Sequence, residues 1–341
     1  MRKLSILILF TSLTFSAQKI KITDVETGKP IANARIVSDE LALYANEDGM
    51  IEFPAGGKPF EVSAGGYKKQ QISRFQNVIA LQPTVKDIEE VKIINIDVQP
   101  IFKDVLKNYH KRYYNQPSVY DVVVRRKSYR NDKLASMVIS EGKVWLASSA
   151  FNYKYAHKDE YEKIMQMQLR KLKYFKKGDA DSVKSIESKE FKRDEFGSRF
   201  LNYELQRVLA NVRAGKYSGR LLNESDGEQT ISFKTNSERG VKLDGFFKYD
   251  KKDKVITFIE VNYDMEEMPV KKMKSDQGEE FDYKYGVATV VFDFYKKDGF
   301  YVPGMHRSLG DRYVYFYKDK TVMLKSAHEL YYNTFAKSTD A

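Results

Sequence analysis

The chemistry open to this 341-residue chain is bounded first by what it lacks. There is no cysteine, which excludes disulfides, thiolate nucleophiles, iron–sulfur clusters and cysteine-ligated zinc. The four histidines are His110, His157, His306 and His328, and no two are four residues apart. His328-Glu329 opens the HExxH pattern, in which two histidines one helical turn apart hold zinc beside a glutamate base. Position 332 is Tyr332, so the pattern fails. His306 follows Pro303-Gly304-Met305 and is expected at a strand end, hydrogen-bonded or lining a cleft. His110 is expected on the surface of a helix. Ser140-Glu141-Gly142-Lys143 spells SxxK, but that motif needs its serine to open a helix, and this stretch has strand character. No nucleophile elbow, phosphate-binding loop or dinucleotide fingerprint occurs. With 47 acidic residues, carboxylates close in sequence carry no signal for acid–base work. No catalytic, cofactor-binding or metal-ligating residue is assigned, and no cofactor is expected.

The elements that would position any site begin after a leader. Met1-Arg2-Lys3 is basic, Leu4–Phe15 is apolar apart from Ser and Thr, and Ser16-Ala17 are small. Residues 1–17 read as a secretory signal peptide, because the run is short of the ~20 residues a membrane span needs. Without a cysteine the mature chain is not a lipoprotein. The expected compartment is the periplasm, peripheral to the outer membrane. Of the net charge of +11, residues 18–94 contribute −1 and residues 95–341 contribute +10. In an exported protein that balance points away from nucleic acid; it fits either a plain solvated lysine-rich surface or contact with lipid headgroups, lipopolysaccharide phosphates or an acidic envelope partner. Aromatic residues make up 13%, with 24 Tyr and 21 Phe against one Trp, a mix that favours strands. The fold class expected is mainly β, of α+β type.

Residues 18–94 form the first predicted domain. Seven short β-runs (19–25, 34–38, 41–45, 51–54, 60–64, 70–73 and 77–82) are separated by Gly, Pro, Asn and Asp, the spacing of a β-sandwich. Gly28-Lys29-Pro30, Ala32-Asn33-Ala34, Glu47-Asp48-Gly49, Phe53, Val62, Gly66-Tyr67 and Ile79-Ala80-Leu81 together resemble the carboxypeptidase-regulatory-like domain. That family is a seven-stranded transthyretin-like sandwich common in exported proteins of Bacteroidota. The resemblance covers about 65 residues and implies an interaction module without catalysis. The family usually has Thr two residues before Asp-Gly, where this chain has Asn46. In Bacteroidota the domain often precedes a TonB-dependent transporter through a segment like Ile88-Glu89-Glu90-Val91, but the remaining chain is too short for such a barrel.

Residues 95–341 read as an antiparallel meander with about three helices. Helices are expected at 101–114, where Ile101, Val105, Tyr109 and Tyr113 share a stripe, at 161–175, and at 199–214, with Gly215 as C-cap. The second would be a basic amphipathic helix, Leu169, Leu172 and Phe175 opposing Arg170, Lys171, Lys173, Lys176 and Lys177, suited to a membrane surface. Strands are expected at 119–129, 134–148, 216–223, 228–235, 241–249, 255–263, 281–295, 300–307, 313–317 and 321–326, and a mobile loop at 264–280. Asp181-Ser182-Val183 resembles a short O-glycosylation sequon. Gly245-Phe246-Phe247-Lys248-Tyr249-Asp250, Ile256–Glu260 and Gly299–Pro303 are similar to the curved half-barrels of outer-membrane lipoprotein carriers, which cover helices around an apolar groove. Tyr and Phe on both faces of 255–263 and 281–295 point the same way.

The function expected is therefore a non-enzymatic envelope binding or interaction module, whose C-terminal domain takes an apolar or lipid ligand or an envelope protein. The alternative is an envelope hydrolase with a carboxylate site. A converging polar cluster in a cleft distinguishes the second from the first.

Overall fold

The computed structural model describes residues 18–39, 41–54, 59–84, 94–178, 189–225, 227–237, 240–275 and 278–338. The leader 1–17, the segment 88–91 and the sequon 181–183 lie outside the described residues. The chain divides into two compact units, residues 1–39 with 43–83, and residues 40–42 with 84–341.

The first unit contains all seven expected strands: β1 (Gln18–Asp24), β2 (Arg35–Val37), β3 (Ala42–Tyr44), β4 (Met50–Phe53), β5 (Phe60–Ser63), β6 (Gln70–Ile72) and β7 (Val78–Leu81). They form two sheets, β4-β1-β7 and β3-β2-β5-β6. Ile20, Ile22, Ala34, Ile36, Val62, Ile79 and Leu81 are buried between them. The alternation of β1, with Ile20 and Ile22 in and Lys19 and Lys21 out, is what one buried face requires. Gly49 sits at φ +71°, and a Cβ there would come within 2.5 Å of the Ile22 carbonyl oxygen, so the hairpin turn admits only glycine. Asn46, the departure from the family pattern, accepts from the amides of Asp48 and Met50 at 3.0 and 2.9 Å, an Asx closure of the same turn.

The second unit is built on one fourteen-stranded antiparallel sheet. In chain order its elements are β8 (Ile94–Asn95), α1 (Val98–Arg112), β9 (Ser118–Arg130), β10 (Lys133–Leu146), α2 (Tyr153–Ala156), β11 (Met165–Lys177), α3 (Lys189–Gly197), α4 (Leu201–Arg213), β12 (Gly215–Ser225), β13 (Glu228–Ser237), β14 (Lys242–Asp250), β15 (Val255–Asp264), β16 (Lys271–Lys274), β17 (Glu280–Lys284), β18 (Val287–Lys297), β19 (Phe300–Tyr317), β20 (Lys320–Tyr332) and β21 (Ala336–Lys337). The main strand order is β11-β10-β9-β20-β19-β18-β15-β14-β13-β12-β8. Neighbours in sequence pair through tight turns, and the β20–β9 ladder joins distant stretches of chain. The fold is mainly β with helices, the class read from the sequence.

Five expectations are corrected. Residues 161–175 are not a helix: after a single 3₁₀ turn at Tyr161–Lys163 they run as the edge strand β11. The ladder with β10 contains two register shifts, so the residues facing one side are Met165, Met167, Leu169, Leu172 and Phe175. Spacings of two, two, three and three imitate a helical stripe. The mobile loop expected at 264–280 contains a strand, since Lys271–Lys274 pairs with Glu280–Lys284 as a hairpin that buries Met273 and Phe281 with Tyr315 and Val322. The single strand expected at 281–295 is two, β17 and β18, broken beside Gly286, where a Cβ would come 2.2 Å from the Asp311 carbonyl oxygen. Gly215 opens β12, and Ala214 is the C-cap of α4. Finally, Ile94 belongs to the second unit, where it pairs with Leu221.

Helices α1 and α4 fill the covered half of the sheet. Asp97 caps α1 by accepting from the Gln99 amide at 3.0 Å, and Val98, Phe102, Val105 and Tyr109 are its buried residues. Phe102, outside the stripe read from the sequence, meets Phe233 and Phe247 at ring distances of 5.6 and 5.0 Å. Tyr113, fully buried, ties the end of α1 to β15: its hydroxyl donates to the Ile256 carbonyl at 2.8 Å and accepts from the Ile256 amide at 3.0 Å. Replacing it by phenylalanine leaves two buried backbone groups without partners. The expected cost of Tyr113→Phe is about 1–3 kcal/mol, read as a lower denaturation midpoint with unchanged m-value; an unchanged midpoint would show that this tether carries no stability.

Candidate functional site

Residues directly opposite in an antiparallel ladder share a face, so the register traces rows across the sheet. One row runs Phe247, Ile259, Phe292, His306, Leu330, Val124, Ser140, Leu172. The next runs Val261, Val290, Ser308, His328, Arg126, Val138, Phe175. A third runs Leu243, Tyr263, Ala288, Gly310, Ser326, Ser128, Ser136. Each row begins with large apolar side chains in the core that α1 and α4 join. The third row is small from β18 onward and the second is polar from β19 to β9, whereas the first stays apolar apart from His306 and Ser140. Short side chains leave volume, and a cavity of about 600 Å³ lies there.

The cavity walls are of three kinds. Val124, Met165, Met167, Val290, Leu324 and Leu330 are apolar. Tyr263, Tyr283, Tyr285 and Tyr313 are aromatic. The charged groups come from α3, the turn between α3 and α4, α4 and the sheet: Asp194, Glu195, Arg199, Arg207, Arg126 and Glu329. Helix α3 is held in place by Phe196, whose ring lies 4.8 Å from Tyr161, 5.7 Å from Phe200 and 6.3 Å from Phe151. Met167 lines the cavity and is 50% exposed, so the cavity reaches the surface at the β11 edge. There Leu169, Leu172 and Phe175 continue the same face and are exposed.

The charges are mostly committed to one another. Glu204 is fully buried; it accepts a short hydrogen bond from the Tyr263 hydroxyl and pairs with Arg207 Nη1 at 3.3 Å. The Arg207 guanidinium stacks over the Tyr263 ring at 4.9 Å. Burial raises the Tyr263 pKa far above its usual value, with Glu204 adding to it. For Arg207 burial is the largest single influence and lowers the pKa, but Glu204, Tyr263, Tyr203 and Asp194 together outweigh it, so the guanidinium stays charged. Glu195 bridges Arg199 at 3.2 Å and His328 Nδ1 at 3.5 Å. Arg126 is exposed and has no carboxylate within ion-pairing distance among the described residues.

Two of the four histidines sit here. His306, expected at a strand end, is instead buried within β19 on the cavity wall. Burial, reinforced by Arg199, drives its pKa down to about 3. His328 faces the cavity from β20, and burial with Arg126 beside it holds its pKa down to about 4, against the pull of Glu195. His110 is exposed on α1 as expected, and His157 is exposed beside α2. Ser140 lies in the middle of β10, paired on both sides, so the SxxK stretch opens no helix. Among the described residues no three His, Asp or Glu side chains gather as metal ligands, and no helix is long and apolar enough to cross a membrane. The site residues that sequence reasoning passed over, Arg126, Glu195, Arg199, Glu204 and Arg207, lie in common charged stretches, and only the run of Ser and Gly on the facing strands marked the volume between them.

No family model, no curated protein and no solved structure matches this chain.

Both cavity histidines are neutral in the native state at pH 7, while in the unfolded chain they protonate near 6.5. Between 6.5 and about 4 the unfolded state thus binds more protons, and stability falls as the pH falls, by about 1.4 kcal/mol per pH unit for each histidine. Above 6.5 neither contributes. In His306→Phe the slope of unfolding free energy between pH 6 and 5 should drop by about 1 kcal/mol per pH unit relative to wild type. Equal slopes in urea titrations at the two pH values would contradict the burial of a neutral imidazole.

Proposed function

We propose that this chain is an exported, periplasmic envelope protein that binds an amphiphilic ligand rather than transforming it. The first unit serves as a carboxypeptidase-regulatory-like interaction module for an envelope partner. The second holds the ligand. The observation that carries this reading is the 600 Å³ cavity, within the ~300–1,000 Å³ of typical ligand sites. Apolar and tyrosine walls suit an acyl chain, and Arg126, whose charge no described carboxylate offsets, suits an anionic head. The converging polar groups are tied in internal pairs, Glu204 to Arg207 and Tyr263, Glu195 to Arg199, as expected of walls that hold shape. The hydrolase alternative would need a free carboxylate facing a reacting atom.

A fluorescent fatty-acid displacement assay tests the reading. Wild-type protein should show saturable uptake of the probe with micromolar displacement by dodecanoate. Ser308→Trp, which places a large ring on the cavity floor, should weaken it at least about tenfold, with thermal unfolding still cooperative. Absence of saturable uptake, together with no lipid in native mass spectra of the gently purified protein, would leave only the interaction-module role.

Peripheral attachment to an anionic membrane surface is part of the same reading. It rests on β11, where Arg170, Lys171, Lys173, Lys176 and Lys177 accompany exposed Leu169, Leu172 and Phe175. An exposed apolar edge of this kind marks an interaction site or an aggregation hazard. Flotation with vesicles containing phosphatidylglycerol should recover the protein at low salt and lose it near 0.5 M salt, where screening is strong. Lys171→Glu with Lys176→Glu should abolish recovery. Equal recovery with neutral vesicles would argue against the electrostatic part.

A further inference from the structure

One buried polar atom on the cavity wall has no hydrogen-bond partner among the described residues. It is Nε2 of His306, a residue 5% exposed. A contact with the Ser198 backbone favours the protonated ring. The Ser198 amide is already given to the Asp194 carbonyl. A neutral imidazole that donates through Nδ1 has a bare lone pair at Nε2. In that tautomer Nε2 accepts and in the other it donates, and a hydroxyl partner serves either.

The second observation is adjacent. His306 and Arg199 line both the main cavity and a side pocket of about 20 Å³. Ser149 lines the same side pocket, and its buried Oγ also lacks a partner among the described residues. The remaining wall is apolar, with Phe292, Phe294, Met305 and Leu146 among its residues, apart from Tyr332. A pocket of this volume has room for one oxygen atom with its hydrogens. Buried polar groups are almost always satisfied, so two orphan atoms on residues that line one oxygen-sized space call for a group that both donates and accepts. A hydroxyl does both. A methylene does neither and would leave the two atoms desolvated.

We propose that His306, with Ser149, is the specificity contact of the cavity and selects an acyl ligand bearing a hydroxyl group on its chain. The inference rests on the ligand-binding reading above and names the ligand class. The rival occupant of the side pocket is a single water molecule, with which hydroxylated and plain chains would bind alike.

The test uses the full mature chain and four probes: dodecanoate and its 2-, 3- and 12-hydroxy derivatives, in the displacement assay. At least one hydroxylated isomer should bind about tenfold more tightly than dodecanoate, the scale on which a site built for a hydroxyl discriminates against its absence. In His306→Phe the hydroxylated isomers should bind no more tightly than dodecanoate does to that same variant, and Ser149→Ala should reduce the preference in part. If no isomer exceeds dodecanoate by more than about twofold on the wild-type protein, the proposal is overturned whether or not the variants fold. A preference that survives His306→Phe overturns it equally. Failure of dodecanoate and all three hydroxy acids to bind refutes the cavity reading itself, a distinct result from equal binding by all four.

Discussion

The size of the side chains along one face of one sheet governs the second unit. A fourteen-stranded sheet must cover that face or leave it wet. On β13, β14 and β15 the facing residues are Ile231, Phe233, Leu243, Phe247, Ile259 and Val261, all buried, and α1 and α4 pack on them. Continue the same rows to β19, β20, β9 and β10 and they reach Ser308, Gly310, Ser326, Ser128 and Ser136. Interiors pack densely wherever they can; a consistent run of small residues opposite a helix end leaves a space that no nearby side chain reaches. The cavity is thus written into strand register. A shift of one residue in β19 or β20 would send Ser308 and His328 to the other face and close it.

The charged wall follows from that arrangement. Glu204 leaves α4 into a region without water, and a lone buried carboxylate there would be costly. Arg207 one turn on, and the Tyr263 hydroxyl from β15, satisfy it. The same geometry places Arg199 and Arg126 near the two histidines and keeps both imidazoles neutral. Electrostatics here fixes the shape of α3 and α4 against the sheet and sets which polar atoms remain for a ligand. A neutral His306 with one free lone pair differs chemically from a charged one, and burial decides between them.

The edge strand β11 lies where architecture and exposure meet. Its Met165 and Met167 belong to the cavity, whereas Leu169, Leu172 and Phe175 extend the same face outward. Lysines on an edge discourage pairing with further strands, which accounts for Lys171, Lys173 and Lys176. The apolar residues of that strand are not explained by such protection, and they form a continuous apolar surface from solvent to the cavity wall.

Local chemistry was legible in the sequence. Turn residues such as Asp48-Gly49 and Lys29-Pro30 delimited seven strands of the sandwich, and the apolar stripe of α4 marked a helix, because these signals act over a few residues. The class, mainly β with helices, followed from them. The reading failed at β11, where two bulges gave a strand the spacing of a helix, and at 264–280, where charge composition concealed a hairpin whose stability comes from Tyr315 and Val322 far along the chain. The cavity and its polar groups were decided by tertiary structure alone. Nothing near Ser308, Arg126 or Glu204 in sequence says that they face one space, because the ladders that align them join strands up to two hundred residues apart, and ladder register is settled by burial of the whole face rather than by any local run.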